Sequence, residues 1–151
     1  MGKVILLCFA TSLTTLAMHE VGLLGIGIVA ARIADGRARI VVLAVAVGIL
    51  LLHLAEIGLY TAAIAVAVDV LHLGHLAGDV DGSRLELLYF SAETYTSLGF
   101  GDIIPTGPMR LIASFEPLNG LILLGWSASF LHLEVGRYWR RLGLPPRRRR
   151  R

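Results

Sequence analysis

Charged residues and cysteine are both scarce in this chain of 151 residues. Only 17% of the residues are charged and 56% are hydrophobic, with a mean hydropathy of +0.73. A soluble domain of this length carries more charge, so the composition excludes that class and indicates a membrane protein. The single cysteine, Cys8, excludes a disulfide within the chain. The sequence has no nucleophile with a paired base and no strong metal-binding motif, so nothing in it indicates an enzyme.

Long apolar runs are the main feature that the chain does have. They cover residues 4–33, 40–68 and 108–135, and each exceeds the roughly 20 residues that a transmembrane helix needs. Lys3 precedes the first run as in a secretory signal, but no small-residue cleavage site follows it. We therefore expect residues 1–34 to form a retained span, and we predict an all-α membrane protein with three transmembrane helices.

A shorter helix is predicted between the second and third apolar runs. Ser83 and Glu86 are three residues apart and form a capping box just before an apolar segment. We expect the helix to cover residues 84–95 and to end where residues 96–102 begin. Those seven residues read Thr-Ser-Leu-Gly-Phe-Gly-Asp. Glycines at alternate positions allow backbone dihedrals that a Cβ atom disfavours.

Residues 96–102 closely resemble the TVGYG-D signature of the selectivity filter in potassium channels. Both glycines and Asp102 match that family, whereas Ser97, Leu98 and Phe100 replace Thr, Val and Tyr. The resemblance implies main-chain carbonyl oxygens that replace the hydration shell of a permeating K+ ion.

The family resemblance also implies an architecture. A channel pore domain would span residues 40–135, after an additional N-terminal span. Its outer helix, pore helix, filter and inner helix would cover residues 40–68, 84–95, 96–102 and 108–135. One filter segment per chain implies a homotetramer with four filters around one axis. The implied function is passive conduction of K+, and the alternatives are a weakly selective cation channel and a non-conducting regulatory or scaffold subunit.

Individual residues receive roles from the same resemblance. The carbonyl oxygens of the K+ sites would come from Ser97, Leu98, Gly99 and Phe100. Residues that would support the filter are Thr96, Gly101, Asp102 and Glu93. In that family an acid at the position of Glu93 pairs with the acid that ends the filter, which here is Asp102.

The distribution of arginine predicts the orientation in the membrane. Arginines flank the turn between the first two runs and follow the third run, whereas residues 69–86 carry four acids and one arginine. The positive-inside rule then places the N-terminus and the filter segment outside and the basic tail, residues 136–151, in the cytoplasm. We expect the last five arginines to contact anionic lipid headgroups rather than nucleic acid: Arg147, Arg148, Arg149, Arg150 and Arg151.

Polar side chains inside apolar runs are functional candidates because the bilayer penalises them. Those in the predicted helices are His19, Glu20, His53, Glu56 and Glu116. At about 1.5 Å per residue, His19 and His53 lie at similar distances from the cytoplasmic ends of their helices. His53 and Glu56 are three residues apart and so share one face of a helix. We therefore predict an interhelical polar cluster, either a structural network or a pH-sensitive gating group. Gly120 and Gly125 are candidates for a gating hinge or for close packing.

Overall fold

Three long helices dominate the fold. The computed structural model describes residues 1–33 and 38–141. In chain order the α-helices are α1 (Gly2–Arg32), α2 (Ala38–Ala65), α3 (Arg84–Tyr95) and α4 (Arg110–Arg141). The first, second and fourth are long and apolar enough to cross a membrane. Of the turn predicted at residues 34–39, residues 34–37 lie outside the described residues and residues 38 and 39 already belong to α2. The arginines predicted to contact lipid at residues 147–151 also lie outside the described residues.

The ends of the long helices are irregular on the side of the filter. A π-helical turn, Val66–Val70, continues α2, and a 3-10 turn, Gly107–Met109, leads into α4.

At its other end, the described part of α4 continues to residue 141, six residues beyond the predicted end of the apolar run at residue 135. Charged residues end the apolar run without ending the helix, because arginine is a good helix former.

The capping box predicted for α3 is confirmed. The Ser83 hydroxyl accepts a hydrogen bond from the Glu86 N–H at 3.3 Å, and the helix runs over the predicted residues. The Glu86 carboxylate reaches back to the N–H groups of Gly82, at 2.8 Å, and Asp81. The Ser83 N–H donates instead to the Asp81 carboxylate at 2.8 Å. These bonds satisfy the free donors that a helix start leaves and so fix where α3 begins.

Two short antiparallel strands flank the filter segment. They are β1 (Leu76–Gly78) and β2 (Ile103–Pro105), and Gly78 pairs with Ile103. Gly78 has a φ of +112°, and a Cβ added there would lie 2.0 Å from the Asp102 carbonyl oxygen. Next to this contact, the Asp79 N–H donates to the same oxygen at 3.1 Å. The sheet therefore holds the outer end of the filter segment.

Side chains of all four α-helices form the core. α1 packs against both α2 and α4, and α3 packs between α2 and α4. One buried cluster surrounds Tyr60 and Tyr95 near the filter. The other lies at the opposite end of the molecule, where Ala30 of α1, Val41 of α2 and Tyr138 of α4 meet.

Candidate functional site

The backbone of the filter segment alternates in handedness. Ser97, Gly99 and Gly101 have φ values of +60°, +54° and +83°, whereas the intervening Leu98 and Phe100 have no positive φ. Glycine adopts such dihedrals without cost, but a residue with a Cβ loses about 1–2 kcal/mol. Ser97 thus holds a strained conformation, of the kind that concentrates at functional sites.

The N–H groups of four successive filter residues, 97–100, all point at the last turn of α3. Three of them donate to main-chain oxygens and the fourth donates to the Glu93 carboxylate. The bonds are Ser97 N–H to Thr94 O at 3.0 Å, Leu98 N–H to Glu93 O at 2.8 Å, Gly99 N–H to Glu93 O at 3.3 Å and Phe100 N–H to Glu93 Oε2 at 3.0 Å. The end of α3 therefore engages every donor of this stretch.

The carbonyl oxygens of residues 96–100 are left free. In the described ranges no hydrogen-bond donor reaches any of them. The filter side chains are also uncovered in the single chain, with Leu98 61% and Phe100 66% exposed. A row of free carbonyl oxygens beside exposed side chains is a surface that can coordinate a cation when further copies of the chain surround it.

Asp102, at the end of the filter segment, has a partner that the sequence did not predict. Its Oδ2 accepts a hydrogen bond from the Tyr89 hydroxyl at 3.0 Å. The Tyr89 ring stacks on Phe100, with a centroid distance of 6.4 Å and an interplanar angle of 2°. Partial burial raises the pKa of Tyr89, and its bond to the Asp102 carboxylate raises it further. The phenol thus stays protonated and keeps donating over the physiological range.

The two acids that the resemblance implied would pair, Glu93 and Asp102, each have another direct partner among the described residues. Glu93 is buried and its carboxylate holds the Phe100 N–H, while Asp102 is bound by Tyr89. The part-buried N–H of Phe100 needs an acceptor, and the Glu93 carboxylate behind the filter segment supplies it. The sequence did carry a signal for Tyr89. It lies four residues before Glu93, and this spacing predicts that both side chains lie on the same face of α3.

A second group of polar side chains meets inside the helix bundle, as predicted for His19, His53 and Glu56. His19 Nδ1 lies 2.7 Å from Glu56 Oε1, and His53 Nδ1 lies 2.9 Å from Glu56 Oε2. The Tyr95 hydroxyl donates to Glu56 Oε2 at 2.6 Å. All four residues are buried. We call them the Glu56 cluster, and it connects α1, α2 and α3.

The Glu56 cluster also has the ligand types of a metal site. Nitrogen and oxygen atoms of His19, His53 and Glu56 lie within 4.8 Å of one another. A zinc ion about 2.1 Å from each ligand would hold the ligands about 3 Å or more apart. The distances of 2.7 and 2.9 Å are instead those of direct hydrogen bonds, so the geometry fits a hydrogen-bonded network.

The other predicted polar residues lie apart from this cluster. Glu20 is exposed on α1, because the next position along a helix points about 100° away from His19. Glu116 is buried in α4, where its Oε1 accepts from the Ser91 hydroxyl at 2.6 Å. Of the two candidate hinge glycines, Gly120 lies against the main chain of Tyr95, whereas nothing lies within 4 Å of a Cβ placed on Gly125.

A comparison with protein families decides the class. The profile of an ion channel family matches residues 57–133, just over half of the 151 residues. The chain belongs to this ion channel family. The matched segment includes the last part of α2, all of α3, the filter segment and most of α4, and it leaves α1 outside. Of the Glu56 cluster it contains only Tyr95. Neither a curated protein nor a solved structure matches the chain significantly. The protein is a multi-pass membrane protein with the all-α architecture of an ion channel pore domain.

Proposed function

We propose that this ion channel is a potassium channel in which four copies of residues 96–102 surround one axis and conduct K+ passively. The observation that carries the proposal is the division of polar groups in the filter segment. The N–H groups of residues 97–100 are bound to α3, whereas no donor among the described residues reaches the carbonyl oxygens of residues 96–100. A cation that sheds its water needs oxygen ligands of this kind, without competing donors.

The alternating dihedrals support potassium as the permeant ion. A left-handed residue at every second position turns successive carbonyl groups to one side, whereas an extended strand turns them alternately to both sides. Successive K+ sites would then be formed by the carbonyls of residues 97–100, with the Ser97 hydroxyl as an additional ligand at the innermost one. Glu93 would support this arrangement through the Phe100 N–H.

Four copies are proposed because a single chain leaves the filter unenclosed. Irregular backbone at membrane depth is tolerated only where protein covers it or where it lines a water-filled cavity. Leu98 and Phe100 are mostly exposed in the isolated chain, so other copies must cover them. A filter built from one segment per chain needs four segments around its axis.

The fold also supports the predicted orientation. The end of α1, the start of α2 and the end of α4 meet in one buried cluster, and these helix ends carry Arg32, Arg39, Arg137 and Arg140. Asp69, Asp79 and Asp81 lie on the other side, near the outer end of the filter. By the positive-inside rule we place the arginine end in the cytoplasm and the N-terminus outside. Contact of residues 147–151 with anionic lipids is part of this proposal.

The test is ion flux through the purified protein in liposomes, with K+ and Na+ compared in separate samples. We expect K+ flux well above Na+ flux and block by Ba2+, which has nearly the size of K+ and twice its charge. Native mass measurement in mild detergent should give a tetramer. A Gly99→Ala variant is the control, because a Cβ strains the backbone at a φ of +54°. Comparable Na+ flux would favour the weakly selective cation channel, and no flux would favour the regulatory subunit.

A further inference from the structure

The hydrogen bonds around Glu56 fix which atoms donate. A carboxylate has only acceptor atoms, so His19, His53 and Tyr95 must each donate to it. His53 therefore donates from Nδ1, which also lies 2.9 Å from the Tyr95 hydroxyl, and no described residue forms a hydrogen bond with its buried Nε2. The Tyr95 hydroxyl points at Glu56 Oε2 at 2.6 Å. The Tyr95 hydroxyl thus binds the Glu56 carboxylate, and His19 of α1 binds the same carboxylate at 2.7 Å.

Tyr95 is the last residue of α3, directly before the filter segment. The two residues before it, Glu93 and Thr94, supply the oxygens that bind the filter N–H groups. Its own main chain lies against Gly120 of α4, with a Cβ-to-oxygen distance of 2.2 Å if a Cβ were present. A shift of the Tyr95 side chain would therefore move the last turn of α3, whose oxygen atoms bind the N–H groups of the filter segment.

We propose that His19 and Glu56 are positioning residues for the filter, which act on it through the hydroxyl of Tyr95. The helix α1, outside the segment that the ion channel family matches, would then contribute to ion selectivity through α3. This inference rests on the proposed K+ conduction. It assigns to the Glu56 cluster a role in the geometry of the carbonyl sites as well as in the stability of the bundle.

The chain contains a matched contact that ties α1 to the bundle without reaching α3. The Thr15 hydroxyl of α1 accepts a hydrogen bond from Asn119 Nδ2 of α4 at 2.5 Å, and both side chains are buried. A Thr15→Val variant removes this bond and keeps the shape of the side chain. It measures what the loss of one buried α1 bond does by itself.

The experiment measures two quantities on the full-length tetramer. One is the K+ to Na+ permeability ratio in liposomes, and the other is the K+ concentration that gives half of the maximal thermal stabilisation. Tyr95→Phe removes the hydroxyl contacts to Glu56 and His53, at 2.6 and 2.9 Å. His19→Leu removes the contacts to Glu56 and Ser127, at 2.7 and 3.4 Å. Because each variant loses at least the bond to Glu56, we expect each to worsen both quantities by at least about three- to tenfold, the value of one lost hydrogen bond. His19→Gln keeps an N–H donor and should restore most of the effect. Thr15→Val should lower the melting temperature and leave both quantities unchanged.

The double variant His19→Leu with Tyr95→Phe tests the connection itself. The two side chains act through one carboxylate, so their combined effect should be smaller than the product of the single effects. If His19→Leu does not assemble, the comparison of Tyr95→Phe with Thr15→Val still decides. Wild-type selectivity in Tyr95→Phe, or equal effects of His19→Leu and Thr15→Val, would overturn the inference. A wild-type protein that does not select K+ would instead overturn the proposed function.

Discussion

Gly120 of α4 lies so close to Tyr95 that a Cβ added to it would come within 2.2 Å of the Tyr95 carbonyl oxygen. Main chain cannot yield as a flexible side chain does, so the glycine is required for α4 to approach the end of α3. This contact favours close packing over a free hinge at Gly120. It also explains how the inner helix meets the filter support with no side chain between them.

Replacement of Gly120 by Ala should therefore destabilise the protein. We expect a loss of about 1–3 kcal/mol, the usual cost of overpacking a core, measured as the thermal unfolding of the protein in detergent. Gly125→Ala is the matched control in the same helix, where no described residue beyond the adjoining helix backbone lies within 4 Å of the added Cβ. It should be neutral or stabilise the helix by up to about 1 kcal/mol. Equal losses in the two variants would contradict the packing role of Gly120.

Glu93 should determine how well the filter binds K+. In Glu93→Leu the part-buried Phe100 N–H loses its acceptor, at a cost of about 1 kcal/mol. We expect K+ to protect this variant against heat much less than it protects the wild type. Glu93→Gln keeps an amide oxygen in reach of the N–H and should behave almost as the wild type does. Loss of protection in both variants would show that the charge of Glu93 matters, rather than its hydrogen bond.

The sequence predicted the helices well because their signals are local. Apolar runs give the three spans, and the Ser83–Glu86 capping box gives the start of α3. It did not predict the two strands, because three-residue segments such as Leu76–Gly78 are too short to show an alternating pattern. Their pairing depends on the close approach of Gly78 to the Asp102 carbonyl, which joins residues far apart in the chain.

The sequence predicted which polar side chains lie near one another better than it predicted which groups they bind. Helical periodicity placed His53 and Glu56 on one face of α2. The rise per residue placed His19 of α1 at the same distance along the helix axis as His53. Neither signal shows that Tyr95 of α3 completes the cluster, because that contact depends on how α3 enters the bundle. For the same reason neither the sequence pattern nor the family resemblance predicted that the Glu93 carboxylate binds the Phe100 N–H.

The N-terminal cap of α3 should contribute measurably to stability. Ser83→Ala removes the acceptor of the Glu86 N–H, and we expect a loss of about 1 kcal/mol in thermal unfolding. Ser83→Asp, which keeps an acceptor at the helix start, is the control and should retain most of the stability. A Ser83→Ala variant as stable as the wild type would contradict a role for the cap.

Acidification should weaken the same cap in the wild type. The Ser83 hydroxyl, and next the Ser83 N–H, lower the pKa of Asp81 below its usual range. A carboxyl group with a lowered pKa stabilises the fold above its ordinary pKa, and that contribution is lost as the pH falls through the lowered value. We expect the stability difference between the wild type and Asp81→Asn to be constant at neutral pH and to shrink below about pH 4. A difference that stays constant to lower pH would contradict this linkage.

Asp102 should attract cations to the outer mouth of the pore. Its carboxylate is exposed and accepts the Tyr89 hydroxyl at 3.0 Å, so four copies would place four negative charges around the proposed axis. Asp102→Asn removes the charge but keeps an oxygen acceptor for Tyr89, so the geometry is preserved. Electrostatic attraction over this range is screened by salt, since the Debye length falls from about 30 Å at 0.01 M to about 3 Å at 1 M. We therefore expect single-channel K+ conductance in Asp102→Asn to fall roughly threefold at the low salt concentration and to approach the wild-type value at the high one.

The control for this prediction is Tyr89→Phe, which keeps the charge of Asp102 and removes the hydrogen bond. Any effect of Tyr89→Phe on conductance should not depend on salt in this way. The same fractional loss of conductance at both concentrations in Asp102→Asn would show that Asp102 acts by holding the filter rather than by its charge.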